Sequence, residues 1–65
     1  MDKEQIDNER LYAMRIRLTS QNFLDAVNVY AKETDSGLKK IYENEMSDKK
    51  ELLNRAIQGW ELIRN

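Results

Sequence analysis

The sequence predicts an all-α fold: a small bundle of two to four helices, completed by dimerisation. Three observations carry that expectation. Apolar residues recur three and four apart along most of the chain, while no segment alternates apolar and polar residues for long. There is no Pro and there are only two Gly in 65 residues, which disfavours turn-dense β-proteins and Pro-rich linkers. Charge is dense but balanced, with 11 basic and 12 acidic residues, as expected for solvated helix faces.

A chain of this length is one small domain, 1–65, with little core. Folding buries roughly 60% of the surface of such a chain, so its stability is marginal without further support. Zero Cys and zero His remove disulfides and a structural zinc as that support. Self-association or docking on a partner is what remains.

The first helix is expected over about 2–18. Acids lead and arginines follow, the order a helix macrodipole favours, and Ile6, Leu11, Met14 and Leu18 form one stripe widened by Ala13 and Ile16. Thr19-Ser20 offers an N-cap signal for a second helix, about 21–34, carrying Phe23, Leu24, Val27, Tyr30 and Ala31. One unbroken helix through 19–20 is the alternative. Thr34-Asp35-Ser36-Gly37 is the clearest punctuation, with Gly as the usual left-handed residue after a helix. Glu33 and Asp35 oppose the dipole at a C-terminus, which moves the expected end towards Lys32.

From Leu38 onward, positions 42, 46, 53, 56, 60 and 63 are apolar at helical spacing, with Lys49 out of type, and Leu52, Ala56, Gly59 and Ile63 make a flanking stripe. This predicts a helix over about 38–64 with a possible joint near 47. Asp48-Lys49-Lys50-Glu51 resembles a capping box, but the periodicity runs through it in phase and favours continuity.

Chemistry is poorly provided for. His and Cys, the commonest acid–base and nucleophilic groups, are absent. Glu43 and Glu45 are two apart and point to different helix faces, and Ser47 with Lys50 reads as a cap beside a solvated charge. No calcium-loop or phosphate-loop motif occurs. The expectation is a protein that is not an enzyme and needs no cofactor or metal.

The only basic cluster is Arg10, Arg15 and Arg17, interleaved with Tyr12. Its functional reading is a phosphate-contacting helix, which makes a nucleic-acid-binding accessory or regulatory protein the alternative function. The plainer reading is the Arg content normal in the C-terminal half of a helix. With an acidic pI near 5.4 and no companion patch, nucleic acid is the less favoured partner.

Residues 52–63 point elsewhere. Ala56 and Gly59 leave a shallow notch beside Trp60, the residue type most enriched at binding hot spots. Leu52, Leu53, Ala56, Ile57, Gly59, Trp60 and Ile63 span an apolar arc wider than one neighbouring helix covers, so they form the expected partner or dimer interface. Met1-Asp2-Lys3-Glu4-Gln5 lacks the basic and apolar regions of a secretory signal, and no apolar run exceeds the four residues Leu11–Met14, so a cytoplasmic protein without a membrane span is expected. The functional expectation is a non-enzymatic protein-binding module, an adaptor or an inhibitor or regulator of a larger protein, working as a homodimer.

Overall fold

The computed structural model describes residues 2–64 and shows two long antiparallel helices, α1 (Lys3–Lys32) and α2 (Ser36–Arg64), joined by a three-residue turn. The all-α expectation holds, in the form of a helical hairpin. It measures 52 × 15 × 10 Å, with a radius of gyration of 15.2 Å. A compact chain of this length would have a radius near 11 Å. The molecule is a rod.

Each helix end has a local cause. The Asp2 carboxylate accepts the Gln5 N–H at 2.8 Å and caps α1. At the other end Glu33 turns to extended backbone, and its carboxylate accepts the N–H groups of Thr34 and Asp35 at 3.0 and 2.9 Å. Asp35 then caps α2, its carboxylate taking the Leu38 N–H at 3.0 Å and its carbonyl the Lys39 N–H at 2.8 Å. The end of α1 at Lys32 agrees with the argument from Glu33 and Asp35. Gly37 does not play the expected left-handed role: no described residue has a positive φ, and Gly37 lies in the first turn of α2. With acidic side chains closing both helices, the turn needs no left-handed residue.

The expected break at 19–20 is absent. The Thr19 hydroxyl donates to the carbonyls of Arg15 and Ile16, at 2.7 and 3.2 Å. Bonded back into its own helix, it does not cap a new one. No joint occurs near 47 either, and α2 begins two residues before the expected start at 38.

Continuity of α1 decides which of its faces turns inward. The half-buried residues Gln5, Glu9, Tyr12, Ile16, Thr19 and Phe23, followed by Ala26 and Tyr30, alternate at four and three. On α2 the matching stripe is Lys39, Tyr42, Met46, Lys49, Leu53, Ala56, Trp60 and Ile63. Two stripes of 3.5-residue period facing each other make an antiparallel coiled-coil seam. The stripe expected for the first helix is therefore corrected: Ile6, Leu11, Met14 and Leu18 are all exposed, Met14 at 69% and Leu18 at 62%. For α2 the expected positions 42, 46, 53, 56, 60 and 63 are the seam, and Lys49 lies within it.

The seam buries little. Among the described residues Ala56 alone is buried, at 8% exposure. Large apolar side chains on both helices, among them Met14, Leu18 and Leu62, are left exposed.

Candidate functional site

Packing is tightest at the open end of the hairpin. The Tyr12 ring lies in the notch at Gly59, so close that a Cβ built there would stand 2.5 Å from Tyr12 Cε1. A glycine is required by this approach, not by its own backbone angles. Beside it the Arg64 guanidinium lies 5.2 Å from the Trp60 ring centroid and donates to the Glu9 carboxylate at 2.7 Å. The Gln5 side-chain amide donates to the Ile63 carbonyl at 2.9 Å, satisfying one of the free carbonyls of the last turn of α2. At the turn end the Lys39 ammonium stands 4.9 Å over the Tyr30 ring.

These contacts place the seven residues expected at a partner interface. Leu53, Ala56, Trp60 and Ile63 line the intrachain seam, and Gly59 is covered by Tyr12. Ile57 is half-buried on one flank of the seam. Leu52 is exposed on the other, at 45%. The wide apolar arc of α2 is thus divided between α1 and solvent.

On the Leu52 side two shallow grooves run between the helices. One, of about 330 Å³, has Arg15, Leu18, Leu52, Arg55 and Gly59 along its walls and Tyr12, Thr19 and Ala56 towards the seam. The other, of about 320 Å³ and nearer the turn, is lined by Asn22, Asp25, Val29 and Glu45, with Ala26 and Lys49 towards the seam. The first groove has a basic rim and an apolar floor. The second has an acidic rim.

The three arginines separate. Arg15 belongs to the groove face, with its guanidinium 5.1 Å from the Tyr12 ring centroid. Arg10 and Arg17, seven residues apart on one helix, share a different face, and Arg17 borders a third shallow groove with Met14, Leu18 and Gln21. A continuous basic patch of all three is not formed. The Arg55 guanidinium donates to Glu51 at 2.8 Å one turn earlier, an exposed pair.

The acids Asp25 and Glu45 stand out in the structure though not in the linear charge pattern. Heptad position puts Arg15 with Asp25 on one face of α1 and Arg55 with Glu45 on one face of α2. Among the described residues no group of three carboxylates could hold a metal ion, and neither helix is long and apolar enough to cross a membrane. Comparison with protein-family models, with curated proteins and with solved structures gives no match.

Proposed function

We propose that this chain is a non-enzymatic protein-interaction module, an adaptor or regulator of a larger protein, whose working unit is a homodimer. The observation that carries the reading is the imbalance between core and surface. Leu11, Met14, Leu18, Leu24 and Val29 of α1, and Leu38, Ile41, Leu52 and Leu62 of α2, are exposed, while among the described residues a single alanine is buried. A 7.8 kDa monomer of ordinary compactness exposes about 4,400 Å², whereas this hairpin exposes 5238 Å². The excess is close to the roughly 800 Å² that each partner contributes to a protein–protein interface of standard size. The exposed leucines and Met14 are part of that surface, and exposed apolar patches are what interaction faces carry.

The immobilised chain, exposed to an extract of the cells that produce it with and without nuclease, tests the functional half of this reading. Retention of a discrete protein that survives nuclease supports a protein-binding module. Retention of nucleic acid alone contradicts it and favours an accessory protein acting through Arg10 and Arg17.

A further inference from the structure

The face that carries both grooves is a second heptad stripe on each helix. From the open end of the hairpin to the turn, α1 presents Leu11, Arg15, Leu18, Asn22, Asp25 and Val29. In the same direction α2 presents Leu62, Gly59, Arg55, Leu52, Asp48, Glu45, Ile41 and Leu38. Both carry an arginine then a leucine towards the open end and an acid then an apolar residue towards the turn, and on α2 Asp48 adds a second acid. Turned end for end, each arginine falls on an acid, Leu11 falls on Val29 and Leu62 on Leu38, while Leu18 falls on Asn22 and Leu52 on Asp48 near the middle. The two grooves, nearly equal in volume, exchange places under the same operation.

Self-complementarity of this kind is what a two-fold interface between identical chains requires. We propose that a second copy of this chain packs on this face end over end, about a two-fold axis crossing both helices at mid-length, between Leu18 and Asn22 and between Asp48 and Leu52. Arg15 then meets the partner's Asp25, and Arg55 meets the partner's Glu45. Leu11 packs on the partner's Val29, and Leu62 on the partner's Leu38. The partner's Ile41 comes to the level of Gly59, where the Tyr12 ring already fills the notch. The product is an antiparallel four-helix bundle with this face as its second seam.

The other two-fold arrangement keeps the open ends together. It would bring Arg15 against the partner's Arg55 and Asp25 against the partner's Glu45, like on like, which costs affinity and excludes that pairing. The Arg55–Glu51 pair is no obstacle, because an exposed pair one turn apart on a helix holds its partners only weakly.

This arrangement rests on the homodimer reading, and the test separates the two. Sedimentation equilibrium is run on the unmodified chain, on the reversal Arg15→Asp with Arg55→Glu, and on that variant with Asp25→Arg and Glu45→Arg added. Circular dichroism checks that each variant is helical. The double reversal is expected to raise the dimer dissociation constant about tenfold or more, since four acids now oppose four, and the fourfold exchange is expected to restore it. The absence of native Cys allows a second measurement. A Leu11→Cys chain mixed with a Val29→Cys chain should form a mixed disulfide, while a Leu11→Cys chain mixed with a Leu62→Cys chain should not. A dimeric parent whose reversal changes nothing, or whose cysteines cross-link Leu11→Cys to Leu62→Cys, overturns the end-over-end geometry alone. A monomeric parent overturns the geometry and the homodimer reading together.

Discussion

Replacing Gly59 by alanine should destabilise the protein even though alanine is the better helix former. In a helix interior Gly→Ala is worth about 1 kcal/mol of stabilisation. At this position the new Cβ would stand 2.5 Å from Tyr12 Cε1 and 3.2 Å from Cδ1 and Cζ. The ring is half-buried in the seam and must move as a unit, so the overpacking cost of about 1–3 kcal/mol applies. The net expectation is a loss of about 1 kcal/mol. Substituting Tyr12→Leu first removes the outer ring carbons and keeps an apolar side chain. In that background Gly59→Ala should become stabilising, so the sign of the effect reverses. The assay is urea unfolding followed by helical circular dichroism, with all four members of the cycle at one protein concentration, because the stability of a dimer depends on concentration. A Gly59→Ala that stabilises both backgrounds equally would show that Tyr12 does not occupy the notch.

Asp35→Ala should cost about 1 kcal/mol by removing the α2 cap, which the same urea series measures. Glu9→Ala should lose about 0.5–1 kcal/mol through its pair with Arg64, and Glu51→Ala less, because Glu9 is 19% exposed and Glu51 62%. Trp60→Ala, half-buried between the seam and the Arg64 guanidinium, should lose about 3 kcal/mol, at the lower end for a large aromatic. Duplex DNA should not be retarded in a mobility-shift assay even at low salt, where phosphate contacts are strongest, because Arg15 stands on a different face from Arg10 and Arg17.

How much of this was legible in the sequence differs between the helices. The inward face of α2 could be read directly, because its apolar positions keep one phase for about six turns and tolerate Lys49. The inward face of α1 could not. A cap at Thr19-Ser20 lets each half choose its own stripe, and the N-terminal half then chooses Leu11, Met14 and Leu18. Once Thr19 bonds back into a continuous helix, Phe23 and Tyr30 dictate the phase upstream, and Tyr12 and Ile16 turn inward instead. Polar seam members such as Gln5, Glu9, Thr19 and Lys39 escape any search for apolar periodicity. The notch at Gly59 was visible in the sequence. Its occupant, Tyr12, was not, because 47 positions separate them and only the three-residue turn fixes which levels meet.

The central claim is that one hairpin is half of a core. Light scattering coupled to size exclusion, on the unmodified chain across a micromolar concentration series, tests it most directly. The account predicts a species of twice the 7.8 kDa chain mass, falling towards the single-chain mass only on dilution. A mass of one chain throughout the series would contradict it.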